Sequence, residues 1–228
     1  MKKICFAILL SVLFYHGYSQ QLGQVAFNQN FDLNSFSLIT NQSILIRISG
    51  DGQIMEAGTE EQALNNRNYF APKLRPYQGN IGYYDDKSDS AFRSKIKNIG
   101  ACFFTYYSSK DYPEKAGKIK SAGSLLFDYY GNYEDASIKG RIKNIGSNAI
   151  AYFTSRDDEA LKGKLKMVGT TPIAYYSSFD NVLFKGKLKS IGSYHCEWTT
   201  VYSGGQSIVT LKSGYQRQLI NGVTYVLQ

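Results

Sequence analysis

Apolar and polar residues alternate along a 23-residue unit that recurs from Ser94 to Lys189 without insertion or deletion. A fixed period of this length is typical of repeat architectures, in which each unit buries its apolar face against its neighbours. The units begin at Ser94, Gly117, Gly140, Gly163 and Gly186. They open with SKIKNIGACFFTYYSS, GKIKSAGSLLFDYYGN, GRIKNIGSNAIAYFTS, GKLKMVGTTPIAYYSS and GKLKSIGSYHCEWTTV.

Each unit reads as two short strands. In the first, the segment from Leu161 to Lys166 alternates, so that two leucines and a glycine share one face and three lysines share the other, because side chains in a strand alternate with a period of two. The second strand, from Ile150 to Phe153 in the third unit, contains the branched and aromatic residues that suit a pleated surface. The pattern predicts an all-β protein, an antiparallel meander of 23-residue β-hairpin repeats.

Two turns join the strands of each unit. A glycine followed by a small residue, as at Gly146 and Ser147, predicts a hairpin turn, because glycine adopts positive φ without a steric clash. A three-residue loop there pairs Ile142 with Tyr152, and matching of the apolar faces favours it over a two-residue loop. In the acidic second turn, a four-residue loop pairs Tyr152 with Gly163, so that the ring covers the bare backbone of the glycine.

The same alternation collects basic residues on one face of the predicted sheet. Fifteen positions, three in each unit, alternate with apolar ones, and Ala116 is the one that is not Lys or Arg. Rings of the second strands fall on this face by parity, which favours close contacts between cations and rings. The candidate anion-binding face comprises Lys95, Lys97, Lys118, Lys120, Lys139, Arg141, Lys143, Lys162, Lys164, Lys166, Lys185, Lys187, Lys189, Tyr107, Tyr130 and Tyr176.

Like-charge repulsion favours a meander over a parallel solenoid. In a meander an aromatic strand lies between two basic strands and doubles their ~4.8 Å separation. The apolar face of the meander, which carries Ile142 and Tyr152 in the third unit, must be covered or curled inward. We therefore expect either an open, elongated sheet or a curled or closed, barrel-like one.

The repeat region, residues 69–202, is flanked by two other segments. One degenerate unit precedes the five clear ones, since the pair Tyr83–Tyr84 stands 23 residues before Tyr106–Tyr107. Residues 20–68 are an N-terminal segment and residues 203–228 are a C-terminal β-hairpin cap. Asparagine followed by glycine is the strongest short hairpin signal, and it occurs at Asn221.

The N-terminal segment gives three separate predictions. Up to Thr40 it has no clear period, so we expect a loosely ordered start. The sequence Gly50-Asp51-Gly52 lies between apolar runs and predicts a β-hairpin. Residues 59–68 are polar and predict a short helix or loop.

Residues 1–19 are typical of a secretory signal peptide. Lys2 and Lys3 precede an apolar run that extends from Ile4 to Tyr15. Cleavage is expected before Gln20 or Gln21, and the remaining chain has 24 basic residues against 18 acidic ones, a formal charge of +6. No later segment approaches the ~20 apolar residues that a membrane-spanning helix needs. We therefore expect an exported protein that is periplasmic, attached to the cell surface or secreted.

Residues able to carry catalysis are few. After cleavage the chain has one histidine, His195, and two cysteines, Cys102 and Cys196. Neighbours in a strand point to opposite faces, so a dyad of His195 and Cys196 is not expected. The sequence predicts no catalytic, metal or cofactor site and no enzymatic activity. A disulfide requires a closed sheet, since an open meander separates the two cysteines by roughly eight strands, or ~38 Å; free thiols are the alternative.

The sequence leaves three functional hypotheses. The first is a non-enzymatic structural or binding module that contacts an acidic polysaccharide, a lipopolysaccharide or another polyanion through its lysine and tyrosine face. The second is an outer-membrane β-barrel component. The third is a solvated structural repeat whose function lies in its loops. Self-association through the sheet ends is also expected, because repeated strands present edges that pair.

Overall fold

The computed structural model describes residues 20–60, 74–213 and 216–227. Within these residues the chain forms twenty β-strands and no helix, which confirms the predicted all-β class. The predicted signal peptide, residues 61–68 of the predicted helix or loop, and the start of the degenerate unit lie outside the described residues. The strands are β1 Gln21–Phe27, β2 Leu33–Ile39, β3 Leu45–Ile48, β4 Ile54–Glu60, β5 Leu74–Pro76, β6 Ile81–Tyr83, β7 Ile96–Ile99, β8 Cys102–Tyr106, β9 Ile119–Ala122, β10 Leu125–Tyr129, β11 Ile142–Ile145, β12 Asn148–Tyr152, β13 Leu165–Val168, β14 Thr171–Tyr175, β15 Leu188–Ile191, β16 Tyr194–His195, β17 Glu197–Ser203, β18 Gln206–Ser213, β19 Arg217–Ile220 and β20 Val223–Leu227.

The repeats form an eleven-stranded antiparallel meander in the order β6 to β16. Each of the five clear units contributes two neighbouring strands, and β6 of the degenerate unit pairs with β7 at the first end. Strands β6 and β16 do not pair with each other. The sheet is therefore open and elongated, which decides between the two predicted forms.

A seven-stranded sheet covers the apolar face of the meander. Its order is β19-β20-β1-β2-β3-β4-β5, with β20 parallel to β1 and all other pairs antiparallel. Phe36 and Ile46 of this sheet and Ile142 and Ile145 of the repeats belong to one buried cluster. A backbone hydrogen bond of 2.8 Å from the Ile142 amide to the Gly50 carbonyl also joins the two sheets. The N-terminal and C-terminal segments thus supply the cover that the repeats require.

The ordered start of the chain differs from the prediction. Strands β1 and β2 lie inside the seven-stranded sheet, and Val25, Phe27 and Phe36 are fully buried. The expectation of a loosely ordered start was wrong, because these apolar residues pack on the repeats, a contact that local periodicity does not record. The hairpin at Gly50-Asp51-Gly52 is confirmed by the pairing of β3 with β4.

The C-terminal segment divides between two sheets. Strands β19 and β20 form the hairpin predicted at Asn221. This hairpin extends the seven-stranded sheet and does not end the meander, because β20 pairs in parallel with β1. Strand β18 pairs with β17 in a separate two-stranded sheet beyond the last unit.

The first turn of each unit is shorter than predicted. Ile145 pairs with Asn148, so the hairpin loop has two residues, Gly146 and Ser147, and not three. On the other side of β11, Asp128 pairs with Asn144 but Tyr129 pairs with Ile142, which leaves Lys143 as an extra, bulged residue. Matching of the apolar faces of the two strands favoured a longer loop. That argument fails, because a bulge changes the alternation of side chains along a strand. Ile142 and Ile145 are consequently both buried although they are three residues apart.

The second turn is longer than predicted. Tyr152 pairs with Leu165 and not with Gly163. The Gly163 amide donates to the Phe153 carbonyl, the Phe153 amide donates to the Lys164 carbonyl, and the strand begins only at Leu165. Gly163 has a φ of 75°, and the equivalent glycines at 117, 140 and 186 have φ values of 72–75°. Glycine is therefore required here by left-handed backbone geometry, and the proposed cover by the Tyr152 ring was wrong.

We predict that Gly163→Ala lowers the free energy of unfolding by ~1–2 kcal/mol, because a Cβ in the left-handed region is strained. The nearest atom to that Cβ, the Arg141 Nη2, lies at 3.3 Å, so the backbone conformation is the main cause. Urea denaturation of the variant and the unmodified protein measures this difference.

Gly131→Ala is the matched control. Gly131 is not in the left-handed region, and an added Cβ meets only the Glu114 Oε1 at 3.5 Å. Its effect should stay within ~0.5 kcal/mol. Equal losses in the two variants would contradict the role assigned to the backbone of Gly163.

Candidate functional site

The candidate anion-binding face is divided by the fold into three groups of cations. The bulge and the long second turn interrupt the period of two, so the prediction of a single basic face was wrong. The loop column contains Lys139, Lys162 and Lys185, which are exposed in the second turns. The seam column contains Lys95, Lys118, Arg141, Lys164 and Lys187. The outer column contains Lys97, Lys120, Lys143, Lys166 and Lys189.

The seam column holds neighbouring units together. The Lys95 Nζ donates to the Gly117 carbonyl at 2.6 Å, and Lys118 makes the equivalent bond to Gly140. The Lys118 Nζ also lies 5.1 Å from the centroid of the buried Tyr129 ring. Burial lowers the pKa of Lys95 and of Lys118 from the ordinary lysine value. These cations are committed to contacts inside the protein.

Further along the meander, the seam column contacts the seven-stranded sheet. The Lys164 Nζ lies 2.6 Å from the Asp32 carboxylate and donates to the Asn30 carbonyl at 3.1 Å. Its side chain is only 11% exposed. The Lys187 Nζ lies 5.1 Å from the Trp198 ring and 5.6 Å from the Phe31 ring. The seam column therefore bridges the two sheets, and a large ligand does not have free access to it.

The outer column forms a regular row of cations over rings. Lysine ammonium groups attract the negative face of a ring at separations within about 6 Å. The rings lie at the ends of the second strands of successive units. The sequence predicted that cations and rings alternate there. The distances from Nζ to ring centroid are 5.9 Å for Lys97 and Tyr84, 5.5 Å for Lys120 and Tyr107, 5.5 Å for Lys143 and Tyr130, 5.0 Å for Lys166 and Phe153, and 5.2 Å for Lys189 and Tyr176.

Hydrogen bonds between units hold the rings of this row. The hydroxyl groups of Tyr84, Tyr107 and Tyr130 donate to carbonyl groups 20 residues further along the chain at 2.8–2.9 Å. Burial raises the pKa of each of these phenols, so the hydroxyl stays protonated and able to donate at neutral pH. Tyr84 was absent from the candidate face, although its place 23 residues before Tyr107 is the signal that identifies it.

Carboxylates lie beside three of the outer lysines. Lys166 is 3.4 Å from Asp157, Lys189 is 4.0 Å from Asp180, and Lys143 is 4.0 Å from Glu134. Asp157 and Asp180 also accept hydrogen bonds from the backbone and hydroxyl groups of Thr154 and Ser177, which lowers the pKa of each carboxyl group. The lysine side chains remain about half exposed, at 49% and 50%. Exposed ion pairs of this kind are weak, so the lysines can exchange these partners for a ligand.

A second set of acids connects the loops of successive units. Asp89 accepts from the Ser109 amide and hydroxyl, and Asp158 accepts in the same way from Ser178. In the unit where this aspartate is missing, Glu114 accepts from the Asn132 amide and side chain instead. The spacing of 20 residues between acid and serine is the signal that was missed.

The residues with catalytic potential are separated. His195 is exposed, whereas Cys196 and Cys102 are buried free thiols. Burial raises the pKa of each thiol to about 11, which disfavours the nucleophilic thiolate. Across the part of the chain that the structure describes, no three His, Cys, Asp or Glu side chains are grouped to hold a metal ion. The same residues contain no helix long and apolar enough to cross a membrane.

We predict that Arg141→Gln lowers the free energy of unfolding by ~1–3 kcal/mol, because it removes a charged hydrogen bond to the Gly163 carbonyl. It also removes a guanidinium group 5.2 Å from the centroid of the buried Tyr152 ring. Urea denaturation measures the loss. The control is Lys139→Gln, which removes one exposed cation of the loop column and should change stability by less than ~0.5 kcal/mol. A similar loss in both variants would count against the distinction between the columns.

Comparison with known proteins gives no relative from which a role can be transferred to these residues. No protein-family model, no curated protein and no solved structure matches this chain.

Proposed function

We propose that this chain is an exported, non-enzymatic β-repeat protein that binds an anionic polymer along the outer face of its repeat sheet. One observation carries the proposal: five lysines of the outer column lie over five rings at the same place in successive units. A regular row of this kind fits a ligand that is itself regular and extended.

The spacing and chemistry of the row favour a polyanion. Adjacent lysines are two strands apart, which corresponds to ~9.6 Å in a sheet. Rows of cations attract phosphates and carboxylates along a chain, and nearby rings stack on sugars or bases. Phe103 and Leu126 are exposed on this face and would add apolar contact area. Acidic polysaccharide, lipopolysaccharide and other polyanions share the required chemistry.

The other two columns contribute less to this proposal. The seam column is occupied by carbonyl groups, rings and Asp32. The lysines of the loop column are exposed in the second turns, with Lys162 at 3.9 Å from Glu159, but within the described residues none of them lies over a ring as the outer lysines do. The outer column is therefore the part of the original candidate face that we assign to the ligand.

Export is supported by the N-terminal charge and apolar run and by the position of β1. The first strand begins at Gln21, so cleavage before Gln20 or Gln21 would leave it whole. A polymer partner outside the cytoplasm is compatible with the formal charge of +6 after cleavage.

Retention on an immobilised acidic polysaccharide across a salt gradient tests the proposal. We expect the unmodified protein to be retained and to elute with rising salt, because phosphate and carboxylate contacts release counterions. The variant Lys120→Gln, Lys143→Gln, Lys166→Gln should elute at clearly lower salt. Columns carrying lipopolysaccharide or nucleic acid distinguish among the polyanions.

The matched control is Lys139→Gln, Lys162→Gln, Lys185→Gln, which removes the same charge from the loop column. A larger loss of retention in the outer-column variant supports a specific face. Equal losses in the two variants, or no retention of the unmodified protein on any of the columns, would refute the proposed role of the outer face.

A further inference from the structure

The hairpin of β17 and β18 projects beyond the last unit. Its strands pair from Glu197 with Ser213 to Ser203 with Gln206, and among the described strands neither pairs with a third. The base is fixed by the Trp198 Nε1, which donates to the Leu188 carbonyl at 2.7 Å. At the tip, Gly204 has no atom within 4 Å of an added Cβ. The hairpin is therefore anchored at one end and open to solvent at the other.

The projecting part of the hairpin is uncharged and exposes several apolar side chains. Neighbours in a strand point to opposite faces, and Val201 and Tyr202 are 48% and 76% exposed, so both faces are open. Ile208 on the second strand is 49% exposed. No charged residue occurs from Trp198 to Leu211. An isolated two-stranded hairpin of this composition is marginally stable in water, which makes it a surface that gains from a partner.

From Gln206 to Leu211, strand β18 presents an edge that contains no lysine or proline and that pairs with no further described strand. Because β17 carries the anchoring tryptophan beside the repeats, β18 is the outermost strand at this end. Alternate amide and carbonyl groups of an outermost strand point away from its neighbour and are free to pair. Proteins usually block such edges with lysine, proline, a bulge or a very short strand.

The opposite end of the meander is protected in this way. Strand β6 has only three residues, Ile81–Tyr83. Pairing of β18 with β6 of another molecule would therefore be short. The edge strands β5 and β19 of the other sheet have only three and four residues, against eight in β18, so β18 itself is the edge of matching length.

We propose that β17 and β18 form a dimerisation arm, in which β18 of one copy pairs antiparallel with β18 of a second copy. A two-fold axis near Val209 places two identical edges together, each uncharged from Gln206 to Leu211, and creates a four-stranded sheet. Lys212 then lies opposite Gln206 and not opposite the second Lys212, so no like charges meet. An interface between the same surface of both copies closes at two molecules. The pairing is centred on Val209, whereas Lys212 at the base of the arm lines a cavity with Lys189 and Tyr176 of the outer row.

Sedimentation of the exported protein over a range of concentrations tests the arm. We expect a monomer–dimer equilibrium for the unmodified protein. Ile208→Lys and Ile208→Glu should each raise the dimer dissociation constant at least about tenfold, because equal charges from two copies are brought close across the pairing. An equimolar mixture of the two variants should recover the dimer, since the charges are then opposite.

Two controls keep the result specific to the arm. Circular dichroism should show both Ile208 variants folded, as expected for a residue that is half exposed. Val182→Lys, at an exposed apolar residue in the last loop of the repeats, should leave the dimer unchanged. A monomer at all concentrations, an unmodified dimer in Ile208→Lys, no recovery in the mixture, or oligomers that grow beyond two would each overturn the proposal.

Discussion

Burial of the apolar face of the repeats is the constraint on which this structure depends. Each unit contributes isoleucine or leucine and a tyrosine to one side of the meander, and an open sheet of eleven strands cannot leave that side in water. A sheet made from both ends of the chain covers it, so the meander remains open. The same packing orders β1 and β2, which have no strong pattern of their own.

The second constraint is the backbone of the unit. The bulge at Lys143 and the left-handed glycine at Gly163 are repeated along the meander and decide the direction of each cation. One basic residue of each unit is directed to the seam, where it contacts carbonyl groups and rings, and one lysine is directed to the outer face. Three basic residues that look equivalent in sequence therefore have different roles: stabilisation, ring contact and solvation. The outer residues form a regular, accessible row over rings.

The ends of the meander differ in how they limit growth of the sheet. At the first end, the chain changes from the seven-stranded sheet to the repeats between β5 and β6, and β6 is short. At the other, the last unit leads into a long hairpin that has no charged residue between Trp198 and Leu211. A protein with a polymer-binding face and a pairing arm would present two such faces in its dimer, which increases the effective concentration for a long ligand. The two proposals are thus compatible, although each stands on its own residues.

The sequence alone determined the period, the two strands of each unit and the meander, because these follow from local alternation and turn residues repeated five times. It also placed rings such as Tyr130 beside basic residues, but which lysine lies over which ring, as Lys143 lies over Tyr130, follows from the structure. Only the tertiary structure decided which cations are buried: Lys164 depends on Asp32, which is 132 residues away. A bulge is recognised from the pairing with the partner strand, and whether the sheet stays open depends on the surface that covers it. Neither can be read from the unit itself.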